Sequence, residues 1–431
     1  MLKRIHITGY KSFADATVEF DRLSVVVGPN GAGKSNLIDL LDLLSRLVSR
    51  ESVREAFHAH RGSPIECFHA PAGVRRRSSV NSSGRLSLSV ECDLELSQSV
   101  VAGVNETLHA REAVQGSGAA YTRVTERFLR YRLSIAYDMR TGDLYVDDER
   151  LEALKRDGTP KSREARPPFI EKKSTDDGKH RFVARVERQS HPRFFETGRQ
   201  RTLLSELSDP VYHPHVVAAA REIASWRVYY VEPSRMRERV GVQSADDPGK
   251  QGELLPAFYY ALQQKRKATF RAIVQNLREL ISGLHDLRVD IDDGVLEIVA
   301  VHANGAEYPA RLLSEGTLRL LCLVGIAVAP NPPALVVYEE PENGVNPARL
   351  DLIVDIVKAA SLDRDDGPQF LLTTHSPLVC KLLPERLIAC QWTAALGTKF
   401  TPLRLDRFGL YFEDELGAVL DELTSPRDSP R

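Results

Sequence analysis

An α/β fold is predicted by three observations. Leu23-Ser24-Val25-Val26-Val27 is an apolar strand that runs into a glycine-rich loop and then into an apolar helix. Two more apolar strands, at 335–338 and 370–374, stand late in the chain with helical pattern around them. The first 150 residues alternate apolar and polar positions in several segments, the pattern of strands with one face in a core. Unbroken apolar strands among helices read as a parallel sheet covered on both faces, so we expect an α/β core with an antiparallel β subdomain.

Residues 2–27 read as two or three strands, with a turn at Gly9-Tyr10-Lys11-Ser12. A helix is expected over 35–49, where leucines at 37, 40, 41, 43, 44 and 47 make a broad apolar face. Residues 85–96 alternate over a full strand, and 128–137 with 143–147 form a strand pair about Thr141-Gly142. From Lys155 to Arg181 the chain turns polar, with prolines at 160, 167 and 168, and reads as a solvated loop or arm. Five acidic residues interleave with its basic ones and aromatic partners are nearly absent, so an exposed loop is preferred there to a nucleic-acid contact. Helical spacing returns over 215–224 and 253–284, and Asp293-Gly294 and Asn304-Gly305 are hairpin signals. Neither an internal repeat nor a sustained heptad pattern is found. The expected organisation is lobe one at 1–150, a helical or irregular insertion at 151–230, and lobe two at 231–431.

The 431 residues carry 58 basic and 59 acidic side chains, a net charge of -1 that gives no general pull toward nucleic acid or anionic lipid. Five cysteines lack CxxC spacing, and neither a signal peptide nor an 18-residue apolar run is found. A reducing cytoplasm without membrane contact is the expectation. The His58/His60 and His213/His215 pairs lack a third ligand at metal-binding spacing, so surface histidines are preferred to a zinc site.

Gly28-Pro29-Asn30-Gly31-Ala32-Gly33-Lys34-Ser35 is a complete GxxxxGKS phosphate loop. A triphosphate with Mg2+ needs inward backbone N–H groups, an ammonium near the β and γ phosphates, and a hydroxyl for the metal. Glycines allow the tight path, Lys34 and Ser35 supply the other two, and the helix N-terminus adds its dipole. ATP and Mg2+ are the expected cofactors. Residues 335–340 form an apolar strand ending in Glu339 and Glu340, where one carboxylate can serve the magnesium shell and the next can orient the attacking water. The strand at 370–374 ends in His375, at a position where parallel sheets bind ligands. Ser314-Glu315-Gly316-Thr317 opens an apolar helix, with Ser314 a candidate N-cap and Gly316 leaving room for a phosphate.

In series these elements resemble the ABC-type P-loop ATPase heads of the SMC and RecF class. Within it the chain is most similar to short-insert bacterial AAA-family ATPases related to the OLD and RecF proteins. Gly9-Tyr10-Lys11-Ser12-Phe13, Val27 to Asn36, Leu313 to Thr317, Tyr338 to Gly344 and Thr373 to Pro377 carry the resemblance. It implies an ATP-bound homodimer, with each nucleotide between one subunit's loop and the other's signature. Asn30, Gly31, Ala32, Gly33, Lys34, Ser35 and Asn36 would cradle the nucleotide, and Lys11 would approach it. Ser35 and Glu339 would hold the metal, Glu340 would polarise water, and His375 would sense the γ phosphate. Ser314, Glu315 and Gly316 would cap that phosphate in trans, and the turn at Asn343, Gly344 and Asn346 would face the dimer partner.

The chain departs from the pattern with Glu339 where many such ATPases carry Asp and with SEG in place of SGG. Gln98, Gln189 and Gln200 all stay open as the Q-loop glutamine. Three roles compete: a DNA-repair or anti-phage switch that controls a separate nuclease or other effector, a self-contained nuclease of OLD type, and a transporter energy-coupling subunit. About 55 residues after His375 are too few for a nuclease domain, and Asp406, Glu413, Asp414 and Glu415 lie in an amphipathic stretch that reads as a packing helix. The N-terminal Gly-Tyr-Lys-Ser-Phe turn argues against the transporter, which leaves the switch as the preferred reading, with DNA contact open.

Overall fold

A computed structural model describes residues 1–49, 51–70, 84–115, 120–162, 164, 166–174, 178–187, 191–329, 331–394 and 397–403. In chain order, β1 (Leu2–Tyr10), β2 (Phe13–Glu19) and β3 (Leu23–Val27) precede α1 (Lys34–Val48) and α2 (Val53–His58). β4 (Arg85–Glu95), α3 (Gln98–Gln115), β5 (Phe128–Asp138), β6 (Leu144–Ala153), β7 (Ile170–Ser174), β8 (His180–Ala184), β9 (Arg193–Glu196), α4 (Leu203–Glu206) and α5 (Pro214–Ala224) follow. β10 (Arg227–Tyr229), α6 (Pro233–Met236), β11 (Val240–Gly241), α7 (Leu255–Lys265), α8 (Lys267–Leu280), β12 (Leu284–Asp292), β13 (Val295–His302) and β14 (Glu307–Pro309) come next. Last are α9 (Glu315–Val328), β15 (Leu335–Glu339), α10 (Leu350–Ser361), β16 (Gln369–Thr374), α11 (Pro377–Leu382), β17 (Leu387–Thr393) and β18 (Gly397–Pro402).

These elements form two compact units, each assembled from separated stretches. The first holds residues 1–21, 30–226 and 390–402. Its antiparallel sheet has the order β2-β1-β4-β5-β6-β7-β8-β9. The strands alternate as the sequence predicts: along β2 the pattern buries Phe13, Ala16 and Val18 and exposes their neighbours. α1 buries Leu37, Leu40, Leu41, Leu44 and Val48 and packs on α5. Two expectations change here. The stretch from Lys155 to Arg181 contributes β7 and the start of β8, which pair through five register positions from Ile170–Ala184 to Ser174–His180. Phe169, Ile170 and Phe182 are buried there, so a few apolar residues anchor an otherwise charged pair of strands. His60, His213 and His215 are buried rather than at the surface, each bonded to a protein group: Tyr10 Oη, the Arg185 carbonyl and Glu187.

The second unit holds residues 22–29, 227–389 and 403 among the described ones. Its parallel sheet has the order β10-β15-β16-β3-β17. β3 and β16 are buried along their whole length and β15 up to its last residue. Leu23, Val25 and Val27 join Tyr338, Phe370, Leu372, Leu318 and Leu321 in one core. Beside it β11, β12, β13 and β14 form a small antiparallel sheet that carries α7 and α8. The β12–β13 turn at Asp293-Gly294 has both residues at positive φ, 47° and 75°, as the dipeptide foretells. The expected helix over 253–284 is two helices, broken at Arg266, whose φ of -137° and ψ of 55° leave the helical region. The amphipathic stretch with Asp406 to Glu415 lies outside the described residues.

Candidate functional site

The sheet of the second unit brings three strand ends to one edge. β3 pairs in parallel with β16, placing Val27 beside Thr374, and β16 pairs with β15, placing Thr373 beside Glu339. The residues that leave the sheet there are Gly28, His375 and Glu340, so the start of the phosphate loop, the histidine and the carboxylates emerge side by side. This is the carboxyl edge of a parallel sheet, where ligands bind in open α/β folds.

Glu340 adopts a left-handed backbone, with φ of 49°, rare for a side chain of its kind. Three contacts keep it there. Its N–H donates to the Thr373 carbonyl at 2.9 Å, Asn343 Nδ2 donates to its Oε2 at 2.5 Å, and His375 Nδ1 lies 2.9 Å from its Oε1. Both carboxylate oxygens are therefore oriented. The His375 side chain is 44% exposed. Glu339 is half-buried at the end of β15.

Ser314 caps α9 as predicted, its Oγ accepting from Thr317 N–H at 3.2 Å, and Glu315 adds an acid to the first turn. Gly316 is required by close approach. A Cβ there would stand 2.0 Å from the Gly344 carbonyl oxygen, so the turn after the carboxylates presses on the start of the signature helix. The resemblance implies a partner-facing loop for that turn, and the residues alone allow a plain solvated turn; the structure shows its contact with the start of α9 in the same chain.

In the first unit the loop runs through Asn30 and Gly31, both exposed, to a buried Lys34 at the first position of α1. Gly33 is the N-cap, with φ of 118°; no side chain caps this helix and no acid stands in its first turn. A 15-residue helix with that N-terminus, a lysine and Ser35 is the donor set a polyphosphate needs. The residues present therefore fit a nucleotide with its metal ion. Thr398 braces the loop, donating to the Ala32 carbonyl at 2.7 Å, with Ser12 Oγ at 2.8 Å. The Asn36 amide donates to Ser12 Oγ at 2.8 Å, so Asn36 acts here on the protein itself. Thr398 has no sequence signal: it lies hundreds of residues from the loop in an ordinary strand.

Lys11 is held on three sides. Its Nζ lies 2.6 Å from Asp39 Oδ2, its N–H donates to the Cys67 carbonyl, and His69 Nδ1 meets its carbonyl oxygen. The neighbouring His60 is pushed down to about 4, first by burial and then by the Lys11 charge, so it stays neutral beside Tyr10. Of the Q-loop candidates, Gln98 begins α3, Gln200 lies in a loop after β9, and Gln189 is outside the described residues. No group of three or more His, Cys, Asp or Glu side chains suited to a metal ion is found among the described residues.

Two family models match the chain. Residues 1–94 match one described as "AAA ATPase domain", and residues 169–381 match one described as "AAA domain, putative AbiEii toxin, Type IV TA system". The chromosome partition protein Smc of Rhodopirellula baltica is 48% identical over 56 residues, 12% of this chain and 5% of that protein. The DNA replication and repair protein RecF is 30% identical over 96 residues in a Synechococcus species, 21% of this chain and 25% of that protein. RecF of Trichodesmium erythraeum is 36% identical over 55 residues, 12% of this chain and 14% of that protein. The matched segment spans a quarter or less of each of these relatives. A Pyrococcus furiosus Smc head domain, solved with the C-terminal domain of ScpA, aligns over 96% of this chain and 99% of that one at 12% identity, with a TM-score of 0.48.

Proposed function

Since the chain is an SMC/RecF-like ABC-type ATPase head, we propose that it hydrolyses ATP with Mg2+ and uses an ATP-bound homodimer as a switch in DNA repair or anti-phage defence, controlling a separate effector. The observation that carries this reading is the sheet edge at which the phosphate-loop strand, His375 and Glu339-Glu340 leave three adjacent strands. Lys34 and the α1 N-terminus hold the β and γ phosphates, and Ser35 with Glu339 holds the metal ion. When bound, that ion offsets phosphate charge and draws electron density from the transferred group. Glu340, with both oxygens oriented, positions a water and takes its proton. His375 offers its free ring nitrogen to the γ phosphate while Nδ1 stays on Glu340. Ser314, Glu315 and Gly316 serve the nucleotide of a second copy.

The defence reading draws on the toxin description of the second family model, the repair reading on the RecF relatives. A cytoplasmic setting agrees with five buried free cysteines. No helix among the described residues is long and apolar enough to cross a membrane.

The test is ATP turnover by wild type and Glu340→Gln, with and without duplex DNA, with oligomeric mass measured in the same samples. The reading expects the variant to lose turnover and accumulate an ATP-bound dimer, and DNA to change the wild-type rate. Turnover that survives the substitution defeats the site assignment. A rate indifferent to DNA moves the switch to a protein partner.

A further inference from the structure

Glu342 has no part in the roles given so far, yet it joins the two turns that hold the reacting side chains. Its Oε1 accepts a hydrogen bond from the Thr374 hydroxyl, and Thr374 Oγ1 in turn accepts from Ser376 N–H at 2.9 Å. Thr374 and Ser376 flank His375. On the other side Asn343, next in sequence to Glu342, donates to Glu340 Oε2. With His375 Nδ1 on Glu340 Oε1 the links close a ring: Glu340, Asn343, Glu342, Thr374, His375 and back to Glu340.

We propose that Glu342 is a positioning residue for hydrolysis, locking the end of β16 to the turn after β15 so that His375 and Glu340 keep their mutual geometry. This rests on the ATPase reading above. Packing alone does not explain an acid here. Glu342 Oε2 is buried with no hydrogen-bond partner among the described residues, and burial, opposed by the Thr374 hydroxyl, raises the carboxyl above its ordinary range. A buried polar atom left unmatched is costly, and a leucine of similar volume would avoid the cost. What the carboxyl provides and leucine lacks is the acceptor for Thr374. Fixing a reacting pair to within tenths of an ångström is worth orders of magnitude in rate, whereas ATP binding does not depend on it.

The experiment measures steady-state ATP turnover of the full chain for wild type, Glu342→Ala, Glu342→Gln, Thr374→Val and the double variant Glu342→Ala/Thr374→Val. Rates are normalised to ATP-binding stoichiometry, so misfolded protein does not count. Loss of the link is expected to lower kcat about tenfold or more in Glu342→Ala and Thr374→Val, with KM for ATP within about twofold of wild type. The double variant should be no slower than the slower single one, because both remove the same bond. Glu342→Gln keeps a carbonyl acceptor and should recover most of the rate, which a loss of general packing would not predict. A kcat for Glu342→Ala within twofold of wild type overturns the proposal. So does full additivity in the double variant, or an equal loss of kcat and rise of KM that glutamine fails to rescue. A wild type that does not hydrolyse ATP defeats the function itself, and the positioning role with it. An active wild type silenced by Glu340→Gln but indifferent at 342 defeats only the positioning role.

Discussion

The two sheets treat their acids in opposite ways. On the antiparallel sheet of the first unit, Glu91 and Asp93 stand on β4 between Arg4 of β1 and Arg130 and Arg132 of β5, with N–O distances from 2.6 to 3.4 Å. Both of these acids are matched by guanidinium groups. At the edge of the parallel sheet, Glu340 is met by an imidazole and an amide, and Glu342 by a hydroxyl. Arginine forks neutralise a carboxylate and keep it from reacting, while single contacts from other side chains orient it without a fixed guanidinium charge beside it. A strained backbone marks only the second case, at Glu340. The contrast teaches that partner chemistry, rather than the number of acids, separates a structural cluster from a chemical one.

The sharpest way to break the contrast is to exchange carboxylate for amide on both sides. Glu340→Gln should cut turnover by about 10²–10⁴-fold, the usual weight of a general base, while leaving the melting temperature near that of wild type. A large loss of stability with modest loss of rate would place Glu340 with the structural acids.

Glu149 tests the rule from within the first unit, because it is a buried acid without a close arginine fork. It accepts from Leu203 N–H at 2.6 Å, Leu204 N–H at 2.9 Å and Tyr131 Oη at 3.0 Å. Burial pushes its carboxyl up to about 7 against these donors, from an ordinary 4.5. Between those two pH values the folded chain holds a proton that the unfolded chain has released, so stability falls as pH rises through the window and levels off above it. The drop should be on the order of 3 kcal/mol, since each pKa unit is about 1.4 kcal/mol. Urea unfolding at several pH values, compared with Glu149→Gln, checks this: the variant should show a flatter profile. An unchanged slope would mean the three donors already hold the carboxylate ionised.

The site was far more legible than the scaffold. Lys34, Ser35, Glu340 and His375 could be read because each ends an apolar strand or opens an apolar helix within a few residues, so local pattern fixes their place. The links among them could not be read. Asn343 to Glu340 spans three residues of a turn, but Glu342 to Thr374 depends on β15 lying beside β16, which no local period encodes. α3 was missed because only Val104 and Leu108 along its 18 residues are buried, leaving too narrow an apolar stripe to show. β7, β8 and β9 were missed because Lys172, Lys173, Arg181 and Arg193 dilute strands of four or five residues. Glu149 looked like any polar position on an alternating strand; its burial comes from α4, more than fifty residues onward.

The arginine-matched acids should respond in stability alone. Burial disfavours the charge of Glu91, but hydrogen bonds from Arg132 and Arg4 outweigh it and hold the carboxyl below its usual range. Its contribution is thus present above the unfolded carboxylate pKa and is lost as pH falls below it. Glu91→Gln should cost about 1–2 kcal/mol near neutral pH, a figure reduced for the partial exposure of the network, and less in acid. Turnover per folded molecule should stay at the wild-type value.

Arg288 sets the lower bound. It lies on β12 and makes a forked contact with Glu307 of β14 at 2.6 and 2.8 Å, and a second with Asp290 at 2.9 Å. By geometry alone this rivals the Glu91 network. The difference is water: the side chains of Arg288, Asp290 and Glu307 are 37%, 42% and 52% exposed, against 10% for Glu91. Solvent screens an exposed pair, and holding three flexible side chains offsets much of what attraction remains. Arg288→Ala should therefore move the melting temperature by no more than about 2 °C, and raising the salt concentration should erase even that. A shift as large as that of Glu91→Gln would show that fork geometry, not burial, gives the arginine-matched acids their stabilising effect.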